Sequence, residues 1–487
     1  MLTLLCLLLT SISQWLASSQ LQTASVGVSV VCINKDAKGG LSAMPVFEYD
    51  AHRSLAPAST QKLLVTAAAL AECGENAVFT TDVYLRGRMS STGVWEGDLI
   101  IVGGGDALMG SQYASAGPND FVNKINGALR EMGVKRITGR IIADARGSHN
   151  GYISPDWTWE DMGNHYAAGH YPLNYALNRY RLILDTSVPG HQPKIKNVEP
   201  YIEGLTIENH LSAFAHPSDS AYIYGAPLEM HRRLYGAVPH RSKTFSIWGD
   251  MPNPPLYLVQ YLTSALDIKV GEEPKAMVGE NVEIWGDMES MYENNLISSR
   301  LPENKSYSSD PHSVLLLRYT SDPLRHVARI TNHVSQNLLA ESLLELLVSK
   351  KENVGFSPKF LTDYWTSRGI DSKGVKLYDA CGLAPTNRLT ASFLTSMLVV
   401  SATDSAFVAS LPLVGKEGTV ASFLKGTRLE GQARLKSGTT KLVVAYAGFV
   451  HGSDGEEYAV AIIVNNFTGI AKGVRQEIEK LLLQLIP

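Results

Sequence analysis

Pro57-Ala-Ser-Thr-Gln-Lys62, running straight into Leu63-Leu-Val-Thr-Ala-Ala-Ala-Leu70, is the stretch on which the reading of this chain turns. A run so rich in Ala, Leu and Val predicts a helix that belongs inside a protein. A proline followed by hydroxyl residues is a helix-start signal, so Ser59 falls at or near the first turn. Lys62 follows three residues later, and positions i and i+3 share a helix face. A hydroxyl thus stands beside an amine at a helix N-terminus, whose free N–H groups favour negative charge. A partly desolvated amine holds its proton less tightly and can take one from a neighbouring hydroxyl. Such a pair activates a serine without a histidine.

Alone, Ser-x-x-Lys is a weak signal. Ser422-Phe-Leu-Lys425 repeats it, and roughly one or two are expected by chance at this length. Two later stretches give it weight. Residues 323–349 read as strongly helical, with Leu338, Leu339, Leu343, Leu344, Leu346 and Leu347 as their core, and contain Ser335-Gln-Asn337. Residues i and i+2 of a helix point roughly 200° apart, so a joint role for Ser335 and Asn337 requires a break there. The plain alternative is two polar residues on a helix face; Ser148-His-Asn150 shows how easily the pattern arises. The third stretch, Lys436-Ser437-Gly438-Thr439, lies in a β-run. A glycine weakens a strand unless another backbone approaches it closely; a solvated lysine beside a strand bulge is the plain alternative.

Around these motifs the chain is of ordinary globular composition. Its 487 residues suggest about three domains. With 45% hydrophobic and 18% charged residues it has ample core and is no disordered segment. The net charge of -4 and scattered Lys and Arg exclude nucleic acid as an expected partner. The cysteines at 6, 32, 73 and 381 show neither a disulfide framework nor metal-ligand spacing, so no metal or other cofactor is expected. Residues 1–19 read as a signal peptide with cleavage near Ala17 to Ser19, although no Lys or Arg precedes the apolar core. A membrane anchor or buried helix is the alternative. No other stretch approaches about eighteen apolar residues, so membrane contact is at most peripheral.

Two β-runs, 25–34 and 46–49, form an expected hairpin through a turn at 35–40 that feeds the Ser59 helix. Texture changes from about 80 to 300. There Gly103-Gly-Gly105 follows a strand, but no Gly-Lys-Ser/Thr follows it, so a tight turn is the reading. A helix at 121–132 and a strand at 136–144 come next. Late in the chain, β-runs at 434–450 and 457–465 flank the turn Gly452-Ser-Asp-Gly455. A final amphipathic helix, 472–485, has mixed charge on its polar face, which favours packing on that sheet over lipid. The expected fold is an α/β sandwich. It comprises 20–79 and 300–487 as one discontinuous domain, interrupted by an accessory insertion at 80–299.

Ser-x-x-Lys on a helix, Ser-x-Asn among helices and Lys-Ser/Thr-Gly on a strand, in that order, make up the penicilloyl-serine transferase set. More closely, the chain resembles the class C low-molecular-mass penicillin-binding proteins, the D-alanyl-D-alanine carboxypeptidase/endopeptidase family. The resemblance covers essentially the whole mature chain, including Gly103-Gly-Gly-Asp106, Trp159-Glu-Asp-Met162, 332–341 (NHVSQNLLAE), 411–419 (LPLVGKEGT), 435–439 (LKSGT) and 446–449 (YAGF). It implies a penicillin-binding fold with large inserted domains, a bacterial periplasmic location, peptidoglycan peptides as substrate and β-lactams as inhibitors. It implies Ser59 as nucleophile, Lys62 as base and Ser335 as proton relay to the leaving amine. Asn337 would hold the substrate amide, Lys436 would add positive potential, and Ser437 and Thr439 would bind the carboxylate. Backbone N–H groups of Ser59 and Thr439 would form the oxyanion hole. Asp161 and Tyr166 match a subsite for the substrate's amino group, Asp161 having a turn cap as its plain alternative. The family commonly has Ser where Cys381 stands, and some members have Arg where this chain has Pro385. A serine β-lactamase-like hydrolase and a non-catalytic envelope-binding module stay open beside this reading.

Overall fold

The computed structural model describes residues 13, 15–35, 41–146, 153–214, 219–240, 244–278, 283–284, 307–350 and 357–487. The expected signal-peptide core, the 35–40 turn beyond Lys35 and the boundary near 299 lie outside them. The chain divides into two compact units, Met1–Ala77 with Pro323–Pro487, and Val78–Asp322.

The first unit is built on a five-stranded antiparallel sheet. Its spatial order is Ala433–Thr440, Val443–His451, Glu457–Asn465, Ser25–Lys35, Leu41–Tyr49. The first and last parts of the sequence therefore pair side by side. On one face Val26, Val28, Val30, Ile462 and Val464 pack with Val474, Ile478, Leu481 and Leu485 of the terminal helix Ala471–Leu485. That is the packing its amphipathic pattern predicts. Trp15 joins this core, its Nε1 donating to Glu477 O at 2.7 Å. On the other face Ser29 Oγ meets Thr395 Oγ1 of helix Ala391–Ser401 at 2.8 Å. Helix Lys62–Cys73 is buried at every residue from Lys62 to Leu70. No helix among the described residues is long and apolar enough to cross a membrane.

Three expected elements are divided. The run 434–450 is two strands, because the chain turns at Lys441 and Leu442. No Gly or Pro marks this turn, and the second strand, buried at every position but its last, gives no alternation to set it off from the first. The strand at 136–144 is two, Arg136–Ile137 and Ile141–Ala145, parted around Gly139. A side chain at 139 would overlap the Asp98 carboxylate and the Gly97 carbonyl. The long helix is also two, Leu324–His333 and Asn337–Ser349, and Leu346 is only half-buried within the second.

The second unit holds an eight-stranded sheet and two three-stranded sheets. Its core gathers Leu99, Ile101, Phe121, Ile125, Leu182, Leu211 and Leu258, among others. The Gly103–Gly105 run is a close backbone crossing: a Cβ at 103 would strike Pro172, and one at 104 would strike the Thr80 carbonyl.

Candidate active site

Ser59 lies in a 3-10 turn, Ala58–Gln61, that continues directly into helix Lys62–Cys73. Ala58, the residue before it, is held at φ +47, a left-handed conformation that costs an alanine about 1–2 kcal/mol. Gly382 presses on this turn, since any Cβ there would overlap the Ala58 carbonyl oxygen. The turn is thus held against its preference by the loop beside it. Ser59 itself stays half-exposed.

Lys62 Nζ sits among three oxygens: Ser59 Oγ at 2.9 Å, Asn337 Oδ1 at 2.6 Å and Cys381 O at 2.6 Å. Amide carbonyl oxygens only accept, so two N–H bonds are committed to Asn337 and Cys381. A neutral amine then has its lone pair for Ser59. Complete burial holds Lys62 below the ordinary lysine range, opposed by the acidic groups of Cys381, Asp379 and Glu341 in that order.

Lys436 makes a second lysine–serine pair. Its Nζ lies 2.9 Å from Ser335 Oγ and donates to Ser437 O at 2.7 Å. It too is fully buried, and burial, reinforced by the Lys62 charge, lowers its proton affinity well below that of a solvated lysine.

The break that a joint role demanded of Ser335 and Asn337 is present. Ser335 stands between the two helices at φ +59, and Asn337 opens the second. In strand Ala433–Thr440, Gly438 faces the Ser59 turn so closely that a Cβ would lie 2.8 Å from Pro57 O and 3.0 Å from Ser59 N. That approach is the reason for a glycine within the strand. Ser437 Oγ donates to Thr419 Oγ1 at 2.7 Å, and exposed Thr439 accepts from Arg475 Nη2 at 3.3 Å. Ser59, Lys62, Ser335, Asn337, Lys436, Ser437, Gly438 and Thr439 all belong to the first unit.

Asp161 and Tyr166 belong to the second. Asp161 caps a turn, accepting from Thr158 Oγ1 at 2.6 Å and from Thr158 N at 3.3 Å. Tyr166 stands edge-on to His165 at 5.6 Å; burial, helped by Asp161, raises its phenol.

The loop behind Lys62 carries polar groups to which the motif reading gave no role. Glu341, one turn beyond Asn337, accepts from Ala380 N at 3.0 Å and Cys381 N at 2.9 Å. Asp379 accepts from Gly382 N at 2.7 Å, Leu383 N at 3.0 Å, Ala384 N at 2.6 Å, Asn387 Nδ2 at 2.8 Å and Gln61 Nε2 at 3.1 Å. Burial, then Asp379, pushes the Glu341 carboxyl up to about 8, and burial keeps the Cys381 thiol protonated. Glu341, Asp379 and Cys381 bring their ligand atoms within 4.8 Å of one another. The Glu341 and Asp379 oxygens face N–H donors, the pattern of a braced loop. The signals were present as Glu341 in 332–341 and Asp379 beside Cys381, but neither has a spacing that announces chemistry.

The chain is similar to known proteins over most of its length. The D-Ala-D-Ala carboxypeptidase 3 (S13) family matches residues 8–282 and 303–485. The D-alanyl-D-alanine carboxypeptidase of Actinomadura sp. (strain R39) is 25% identical over 440 residues, covering 88% of this chain and 76% of that one. Among solved structures, penicillin-binding protein 4 (dacB) from Haemophilus influenzae superposes with a TM-score of 0.75 at 19% identity, over 97% of this chain and 99% of that one. The same protein complexed with a novel β-lactam gives 0.71 at 18% identity, over 98% and 99%. These structures share the fold. The family match spans nearly the whole sequence, and the chain belongs to the D-Ala-D-Ala carboxypeptidase 3 (S13) family.

Proposed function

We propose that this serine-type D-Ala-D-Ala carboxypeptidase acts on peptidoglycan stem peptides through an acyl-enzyme on Ser59. Lys62 takes the Ser59 proton as Oγ attacks the carbonyl of the terminal D-Ala-D-Ala bond. The C–N bond then breaks, and Ser335, beside Lys436, relays that same proton from Lys62 to the departing amine, so that both groups end the step as they began. Asn337 holds the substrate amide. Lys436, Ser437 and Thr439 receive its carboxylate, and Gly438 lets that strand edge lie against the nucleophile. N–H groups of Ser59 and Thr439 receive the oxyanion. Water releases the peptide, and β-lactams acylate Ser59 without ready release. The observation that carries this reading is the Lys62 amine, 2.9 Å from Ser59 Oγ, with its remaining partners both carbonyl acceptors.

Endopeptidase action on cross-links, and Asp161 and Tyr166 as contacts for the stem peptide, belong to the same proposal. Pro385 in place of a family arginine bears on which stem is preferred. We also propose a periplasmic location after removal of residues 1–19; cleavage there takes Trp15 from its place against the terminal helix, which N-terminal sequencing of the exported protein checks.

The test is labelling of the purified protein with a fluorescent penicillin, with peptide mass mapping and Ser59→Ala in parallel. A stable label on the Ser59 peptide, absent in the variant, supports the proposal. Rapid turnover of nitrocefin without stable label favours a β-lactamase-like hydrolase. No label and no turnover on folded protein favours a binding module.

A further inference from the structure

We propose that Asp379 is a positioning residue for acylation, acting on Lys62 through the Cys381–Gly382 peptide bond. The two ends of that single peptide carry the argument. Its N–H, on Gly382, donates to Asp379 Oδ1 at 2.7 Å. Its carbonyl, on Cys381, accepts from Lys62 Nζ at 2.6 Å. A carboxylate at the N–H end polarises the amide and makes its oxygen a better acceptor, so hydrogen bonds in series strengthen one another. Asp379, a planar amide and Lys62 form a line that ends on Ser59 Oγ, 2.9 Å beyond the amine.

The surroundings make this line rigid. Gly382 is at φ +82, and a Cβ there would overlap the Ala58 carbonyl, so the peptide abuts the nucleophile's own turn. Gln61, the neighbour of Lys62, donates to both Asp379 O and Asp379 Oδ1, at 2.5 and 3.1 Å. The preceding peptide is fixed at Cys381 N by Glu341 at 2.9 Å. A loop needing only a brace would be served by any acceptor for these donors. An acidic side chain bonded to the same amide that grips the base adds a charge whose effect is directed at Lys62. Other groups that face Lys62 are the Glu341 carboxyl, the Cys381 thiol and, across the site, the Lys436 amine.

The inference rests on Lys62 as the base, and the experiment separates the two. Acylation by nitrocefin is followed from pH 5 to 10 for wild-type and Asp379→Asn. Removing the charge makes the free amine easier to form, so the acid limb is expected to move to lower pH, while looser aim lowers the plateau by about tenfold. A lower plateau with the limb unmoved, or moved to higher pH, overturns the relay and leaves Asp379 a brace. Wild-type protein gives a second readout that does not depend on the variant folding. Labelling with 13C-Cys and 15N-Gly marks only the Cys73–Gly74 and Cys381–Gly382 peptides. The Gly382 amide is expected to titrate with the midpoint of the acylation limb while Gly74 does not; a flat Gly382 signal overturns the inference. Absence of any covalent label on Ser59 fails the underlying proposal instead.

Discussion

Ser335 and Asn337, two residues apart, hold two different lysines: Ser335 Oγ lies 2.9 Å from Lys436 Nζ, and Asn337 Oδ1 lies 2.6 Å from Lys62 Nζ. An unbroken helix would turn them to opposite sides. The left-handed Ser335 at the junction of two helices lets one short segment serve both amines.

That junction separates activity from stability. Ser335→Gly removes the hydroxyl and relieves a positive φ, so about 1 kcal/mol of stabilisation is expected. Loss of the relay should slow acylation by about 10²-fold or more. Thermal unfolding and penicillin acylation kinetics on the same preparation read the two effects. A variant both slower and less stable would show that the hydroxyl's bond to Lys436 outweighs the strain.

Gly438→Ala tests the approach of the strand to the nucleophile. Its Cβ would sit 2.8 Å from Pro57 O and 3.0 Å from Ser59 N. Backbone is on both sides, so the strand must move away. Displacement of this size is expected to cost about 10²-fold in acylation rate, and overpacking about 1–3 kcal/mol.

Acylation should rise with pH along a limb set by Lys62. Protonation occupies the lone pair, so rate falls as pH drops through the amine's pKa. Burial lowers that value, which places the limb below the ordinary lysine value of about 10.4. A pH–rate profile whose limb lies at the ordinary value would count against a desolvated base.

Glu341 gives stability an opposite dependence. Its carboxyl is pushed up from 4.5 to about 8 by burial and then by Asp379. Folded protein therefore binds more protons than unfolded between those values, and the contribution present below 4.5 is lost as pH rises through 8. Glu341→Gln keeps an oxygen for the Ala380 and Cys381 amides and removes the titration. Its melting temperature relative to wild-type should improve steadily from pH 4.5 to pH 8.

In the second unit Arg232 is fully buried, bonded to Asp250 Oδ1 through Nε at 3.1 Å and Nη2 at 2.9 Å. Arg232→Met strands a buried carboxyl and should cost about 3–5 kcal/mol, whereas Arg232→Met with Asp250→Leu should recover much of it. Denaturant unfolding of the three proteins makes the comparison.

The sequence by itself determined the local parts. The Ala- and Leu-rich run after Ser59 had to be buried, the terminal amphipathic helix had to cover a sheet, and i, i+3 spacing put Lys62 beside Ser59. Gly438 signalled either a close approach or a bulge, the two reasons for a glycine inside a strand. Periodicity reports burial and handedness along one segment, so it was blind to the turn at Lys441 and Leu442, where no Gly or Pro stands and the strand that follows is buried at every position but its last. Tertiary structure alone decided what lay against what. Only folding showed that Gly438 meets the Ser59 turn, that Lys436 lies beside Ser335, and that the Cys381 carbonyl grips Lys62. Such contacts join residues more than a hundred positions apart, often through backbone atoms that every residue carries. A carbonyl oxygen that any amino acid would supply leaves no mark in the sequence.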